Sequence, residues 1–232
     1  MLKSTKRKII AIALGGVLLV TLAWHLYDPG WRYPVDGVDV SHHQGEINWD
    51  ALVADDVSFA YIKATEGGDW VDTRFIENWA AAGETGVLRG AYHFFTLCAF
   101  GPDQAEHMIS VVPDEPGMLP PAVDLEFAGN CSARPNVADF RAELDAFLAA
   151  IESHYRMKPV IYTNAHFYQE YLAEDPPDVT WWIQTPVIEP WGSPEWTIWQ
   201  HTPWPRDGVT GDVDRNVFRG DEADLVALTK RL

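Results

Sequence analysis

The sequence predicts an α/β fold, a modified TIM-like barrel of five β/α units followed by three strands with loop connections. Three observations carry that expectation. From Val35 to Ala173, short β-branched and aromatic runs alternate with amphipathic stretches of helical length. Beyond Val179 the strand-like runs continue, but the gaps between them hold prolines and glycines and leave no room for a helix. Thirdly, the middle run, Leu119 to Phe127, sets Asp124 and Glu126 between Val123, Leu125 and Phe127.

Each element follows from its residues. Val35 to Ser41 alternates as a strand, and Asn48 is placed to cap a helix through Asp50 to Ala54. Val57 to Thr65 is a second strand, and Asp72 to Ala82 an amphipathic helix ending at Gly83. Leu88 to Phe95 is the third strand and Asp103 to Val112 the third helix. The acid-bearing run is the fourth strand, opened by Pro120 and Pro121, where a missing N–H costs little. Asn136 to Tyr155 is the longest helical pattern, with Phe140, Leu144, Phe147, Leu148 and Ile151 on one face. Pro159 to Thr163 is the fifth strand, followed by a short helix over Ala165 to Ala173. Strand–helix alternation implies parallel strands with right-handed crossovers. Val179 to Thr185, Glu195 to Thr202 and Asp212 to Phe218 complete the strands, joined by loops or hairpins and in part antiparallel, because parallel neighbours need a crossover. Asp221 to Leu232 ends the chain as a helix.

Composition narrows the function. The chain has 232 residues, eleven tryptophans and a formal net charge of −17. Its first 27 residues hold four cations and no acid, so the remainder is more acidic still. Such a surface repels a phosphate backbone, so nucleic acid is not an expected partner. Tryptophans combined with acidity fit a carbohydrate cleft, although tryptophan also serves as core filling.

Four segments are expected: a basic cytoplasmic end (1–8), a transmembrane signal-anchor (9–27), a linker (28–34) and one barrel domain (35–232). The apolar stretch Ile9 to Leu26 would span about 27 Å as a helix, close to the roughly 30 Å hydrocarbon core. The positive-inside rule places the barrel outside the cytoplasm, periplasmic or at the cell surface. Cleavage of the N-terminus as a signal peptide is the competing reading and would make the protein secreted. Export permits a disulfide, and Cys98 and Cys131 each follow one of two neighbouring strands, so a bridge between them is expected; two buried thiols are the alternative.

Working groups of such barrels gather at the C-terminal ends of strands. Those ends present Asp39, Ser41 and His42, then Lys63 and Glu66, His93, Asp124 and Glu126, Tyr162 and Asn164, Trp182 and Gln184, and Gln200, with Asp214 on the last strand. In an extended strand, residues i and i+2 leave one face about 6–7 Å apart at their Cα atoms. Asp124 and Glu126 therefore emerge together, and in a half-dry setting one holds its proton near neutrality. An acid beside an anion is what glycosidic bond cleavage requires. No metal is expected: His-x-His and His-Glu-x-x-His spacings are absent, and His42 and His43 would point to opposite sides of an extended segment. Tyr61 and Tyr92 read as core, Lys63 as an ion partner of a barrel acid, and His93 as a supporting or buried group.

The segments Gly37–Trp49, Phe59–Gly67, Gly90–Phe95, Val123–Glu126, Pro159–Asn164 and Gly211–Phe218 together resemble glycoside hydrolase family 25, the N-acetylmuramidase lysozymes. The resemblance implies a barrel of five β/α units plus three strands and no cofactor. It also implies cleavage of the β-1,4 bond between N-acetylmuramic acid and N-acetylglucosamine, so the expected partner is a peptidoglycan glycan strand. Glu126 matches the family's general acid/base, and Asp124 the partner carboxylate that orients the 2-acetamido group or stabilises charge on it. Asp39, Asp214 and Tyr162 match cleft residues with substrate-binding or supporting roles; His93, Trp182 and Gln200 join them from the strand ends. His201 and Gln184 depart from the family's frequent tyrosine and alanine. A monomer is expected. The alternative function is a non-catalytic peptidoglycan-binding module of an envelope assembly.

Overall fold

The run of parallel β/α units closes on itself through a last strand that travels the other way. The computed structural model describes residues 29–192 and 194–232. The expected cytoplasmic end and signal-anchor lie outside these residues. Among the described residues no helix is long and apolar enough to cross a membrane.

The strands are β1 (Val35–Val40), β2 (Val57–Glu66), β3 (Trp70–Val71), β4 (Leu88–Phe94), β5 (Ala122–Leu125), β6 (Val160–Asn164), β7 (Thr180–Gln184), β8 (Ile198–Pro205) and β9 (Asp212–Phe218). The helices are α1 (Trp49–Ala54), α2 (Phe75–Thr85), α3 (Gly101–Val111), α4 (Val137–Tyr155), α5 (Ala165–Tyr171) and α6 (Glu222–Ala227). All nine strands form one sheet in the order β1-β9-β8-β7-β6-β5-β4-β2-β3, and β1 also pairs with β2, which closes the barrel. β3 is a two-residue spur folded back antiparallel on the end of β2. From β1 through β2 and β4 to β8 the barrel strands run parallel; β9 is antiparallel to both β8 and β1.

Side chains divide by strand alternation into two apolar layers. Phe59, Tyr61, Ala122, Val160, Trp182, Ile198 and Phe218 fill the barrel interior. Val38, Ile62, Ala91, Val123, Ile161 and Val217 belong to the larger layer beneath the helices, with Phe75, Met108, Phe140, Leu144, Phe147 and Phe167. The interior has room for its large rings because two strand positions lack a side chain. A Cβ at Gly37 would lie 2.4 Å from the Phe59 ring, and one at Gly90 2.4 Å from Tyr61.

Caps explain most helix starts. Asn48, Asn136, Asn164 and Asp221 each accept a backbone N–H from the first turn of the helix that follows. Two helices lack such a cap: α3, which follows Phe100 and has Pro102 in its first turn, and α2, which begins at Phe75 instead of Asp72. Asp72 is 3% exposed and bonds the backbone N–H groups of His42 and Arg74, so it ties that loop to the end of β1. Gly83 does not end α2; the stop is Gly86, with φ of +83°. A Cβ at Gly83 would sit 1.9 Å from Arg89 Nη1, so this glycine makes space for the guanidinium that covers Trp79.

Between β7 and β8 the expected rule is broken. The two strands are parallel, yet among the described residues of the 185–197 connection there is no helix. That length matches the shortest crossover, so an irregular segment suffices where a helix is usual. His42 and His43 also differ from expectation. They lie in a 3₁₀ turn capped by Ser41, so their rings face each other with centroids 4.0 Å apart. The expected disulfide between Cys98 and Cys131 is formed.

Candidate active site

Parallel strands deliver their C-terminal ends to one rim, and that rim opens into a cavity of about 240 Å³ lined by Asp39, Tyr92, Asp124, Glu126, Tyr162, Trp182, Gln200 and Asp214. Asp39 comes from β1, Tyr92 from β4, Asp124 from β5, Tyr162 from β6, Trp182 from β7 and Gln200 from β8. Glu126 follows the last residue of β5, still on the side Asp124 takes. Asp214 reaches the same rim from the opposite direction: β9 runs antiparallel, and Asp214 pairs with Asp39 across the β1–β9 seam.

A chain of hydrogen bonds fixes the floor. Tyr162 OH donates to Gln200 Oε1 at 2.9 Å, and Gln200 Nε2 donates to Asp39 Oδ2 at 2.9 Å. Asn216 Nδ2 donates to the same Asp39 oxygen at 2.8 Å, while its Oδ1 accepts from Trp182 Nε1 at 2.7 Å. Each link is buried, so each donor and acceptor holds its neighbour in one orientation. Asp124 has an oxygen that is buried and bonded to no protein group among the described residues. Such an atom is expensive to bury unless a ligand, water or proton completes it.

Burial and mutual repulsion set the charges. Burial raises Glu126 to about 7, with Asp214 pushing the same way and Lys63 opposing. Burial and the adjacent Glu126 hold Asp124 well above the usual carboxylate range, against the pull of Lys63. Asp39 is likewise raised, by burial and by Asp214, although the amides of Asn216 and Gln200 favour its anion. Burial raises Asp214 as well, with Asp212 adding to it. Lys63, 9% exposed, is bound to Glu66 at 2.7 Å, and its charge favours the anions of both Asp124 and Glu126. Carboxylates crowded in a drying cavity cannot all ionise together, so a proton is retained among them near neutral pH.

Asp39, Asp124, Glu126, Tyr162, Trp182, Gln200 and Asp214 meet there; His93 takes the buried one of its two expected readings, and Tyr92 differs from expectation. His93 points outward from β4: its ring is fully buried between Thr65 Oγ1 (2.8 Å), Gln104 Oε1 (3.2 Å) and Phe147, and burial pushes it down to about 3. It is a packing residue under the helices and does not touch the cavity. Tyr92, read from sequence as core, lines the cavity instead, being one residue earlier on the same strand and so on the other face. Asn216 was not legible as a site residue, yet it joins Asp39 to Trp182. Its signal was positional, two residues after Asp214 and therefore on the same face of the strand. Among the described residues no group of three or more potential ligands could hold a metal ion.

Fold and site together define a glycoside-cleaving enzyme, a barrel whose open end holds clustered carboxylates between aromatic walls. Comparison with known proteins narrows the class. The profile of glycosyl hydrolases family 25 matches residues 38–207. Lysozyme M1 of Streptomyces globisporus is 37% identical over 209 residues, covering 84% of this chain and 71% of that protein. An uncharacterized protein, YegX, of Escherichia coli O157:H7 is 36% identical, covering 84% and 73%. The structure of a family 25 glycosyl hydrolase from Bacillus anthracis superposes with a TM-score of 0.80 at 36% identity, covering 84% of this chain and 94% of that one. A bacterial lysozyme from Streptomyces coelicolor gives 0.76 at 34%, covering 84% and 96%. The chain belongs to glycosyl hydrolases family 25.

Proposed function

We propose that this protein is a peptidoglycan hydrolase, an N-acetylmuramidase that cleaves the β-1,4 bond between N-acetylmuramic acid and N-acetylglucosamine. Glu126 acts as the general acid that protonates the leaving oxygen. Asp124, beside it, orients the 2-acetamido group or stabilises the charge that develops on it. Asp39 and Asp214 support the pair and bind substrate, with Tyr162, Trp182 and Gln200 forming the walls and floor. The observation that carries this reading is Glu126 itself: a half-dry carboxyl raised to about 7, in one cavity with three further acids. A group with that affinity for its proton is an effective donor near neutral pH. Relatives named lysozyme and N,O-diacetylmuramidase support the choice of substrate.

The proposal extends to location. The basic Lys3–Lys8 cluster and the apolar Ile9–Leu26 stretch support a retained single-pass anchor with the barrel exported, and a bridge between Cys98 and Cys131 suits an oxidising compartment. A monomer is proposed. The test is release of muropeptides from purified sacculi. Wild type should release fragments whose new reducing ends are muramic acid, and Glu126→Gln should release at least about a hundredfold less while keeping its fold. Glucosamine ends would overturn the bond assignment, and undiminished release by Glu126→Gln would overturn the acid.

A further inference from the structure

The loop of residues 185–197 takes the place of a crossover helix, and it leaves an apolar groove of about 440 Å³ on the outer wall of the barrel. Tyr168 of α5 and Ile183 of β7 form its base, and Val187, Ile188, Trp191 and Pro194 its rim. Those rim side chains are unusually exposed: Val187 52%, Ile188 70% and Trp191 91%. Trp31, 63% exposed, belongs to the segment by which the described chain begins.

That segment is fastened to the loop. Arg32 Nη1 donates to Glu189 Oε2 at 2.8 Å, and Tyr33 OH donates to Glu189 Oε1 at 2.6 Å. Tyr33 also packs edge-on against Trp196, with ring centroids 5.0 Å apart. Four residues lie between Leu26, the end of the apolar stretch, and Trp31, which makes five backbone steps. Fully extended, they reach about 17 Å, whereas the polar layer on each side of a bilayer is roughly 5–7 Å thick. The exposed loop is therefore tied to a segment that cannot travel far from the lipid.

We propose that the 185–194 loop and Trp31 form a membrane-seating surface, with Trp31 and Trp191 lodged at the headgroup level and Val187 and Ile188 turned to the acyl boundary. The inference rests on the proposed anchor. Its chemistry suits lipid better than sugar. Aliphatic side chains sit beside the tryptophans, and the only carboxylate of the loop, Glu189, is already engaged by Arg32 and Tyr33. Tryptophan with an apolar body and a polar N–H favours the interface. The rest of the acidic domain is repelled by anionic lipid, which makes this patch the face that turns toward the bilayer. Ile183 faces the groove while its neighbour Trp182 lines the catalytic cavity, so seating one face of β7 fixes the direction in which the cleft opens.

The test uses the full chain in vesicles of phosphatidylcholine with a minority of phosphatidylglycerol, with and without bromine on the acyl chains to quench nearby tryptophans. Trp24, inside the apolar stretch, reports the anchor, and Trp24→Phe removes its signal. In that background the seating surface predicts residual quenching that disappears when Trp31→Ser and Trp191→Ser are added. Both variants alter exposed side chains, so fragment release from sacculi in detergent should stay within twofold of wild type. Quenching of wild type but none in the Trp24→Phe background overturns the seating and leaves the anchor standing. Failure of wild type to sediment with vesicles overturns the anchor and the seating with it. A shift of Trp191 emission by N-acetylglucosamine oligomers without lipid, and no quenching by brominated lipid, would make the surface a glycan platform instead.

Discussion

Asn216 bonds Asp39 across the seam that closes the barrel, Nδ2 to Oδ2 at 2.8 Å. Asn216 is fully buried and Asp39 is 8% exposed, so neither has water as a substitute partner. Asn216→Ala should therefore leave Asp39 with one donor fewer and the Trp182 indole N–H without an acceptor. The expected cost is about 1–3 kcal/mol for each buried group left unpaired. Denaturant unfolding would read it as a lower midpoint at unchanged slope. Asn216→Asp should be worse, since it adds a fifth acid to the cluster.

The pH dependence has a definite sign. A general acid works only while protonated, so the rate on sacculi should fall as pH rises through about 7. Stability follows the same group. The folded state binds the proton of Glu126 more tightly than the unfolded chain does, whose value is near 4.5. Wild-type stability is therefore complete below about 4.5 and declines as pH rises toward 7. Glu126→Gln removes that dependence and should be more stable than wild type at pH 8, by roughly 1–3 kcal/mol, and indistinguishable from it at pH 4. Thermal melts at both pH values, with a rate profile on the wild type, check both halves.

The bridge between Cys98 and Cys131 closes a loop of sequence separation 33. In the chain-entropy model this stabilises the fold by about 3–4 kcal/mol. It also braces the acid. Between the two cysteines, Asn130 donates to the carbonyls of Phe95 and Glu126 and accepts from Leu97 N–H. Changing both cysteines to serine should lower the melting temperature by about 10 °C and reduce turnover on sacculi more than it weakens binding. A mass gain of two hydrogen atoms on reduction of wild type verifies the bridge.

At the opposite end of the barrel, Arg206 is bound to Asp36 at the start of β1 and to Asp55 after α1, with its side chain 9% exposed. Burial raises Asp36 while Arg206 and Arg215 oppose it. Arg206→Met removes the main counter-charge from a nearly buried carboxylate, for which about 3–5 kcal/mol is expected. Pairing the change with Asp36→Leu should recover much of the loss, because the desolvated charge is then gone as well. A double-mutant cycle measured by urea unfolding reads both.

Strand alternation carried most of the fold into the sequence. The pattern from Val35 to Thr163 gives the parallel strands because inward and outward faces are chemically distinct, and the same alternation put Asp39, Asp124, Glu126 and Tyr162 on the inner face. What stayed hidden has tertiary causes. Gly83 reads as a helix end, but its missing side chain is filled by Arg89 from another element. Asp72 reads as a helix start, but it is spent on the backbone of His42, thirty residues earlier. The parallel pairing of β7 with β8 could not be read from a proline-rich gap, since an irregular crossover has no periodicity to recognise. Tyr92 reads as core but faces the cleft, while its neighbour His93 takes the buried one of its two expected readings, because one residue of register moves a side chain from cleft to core.

The seam has a consequence for when the enzyme exists at all. Asp39 is held by Gln200 and Asn216, 161 and 177 residues away along the chain. A nascent chain that has not yet delivered β9 has an open sheet, no Asp214 and an unsupported Asp39. Cutting power is thus withheld until β9 has been made, and a polypeptide interrupted short of residue 212 has no assembled cleft with which to cut a glycan.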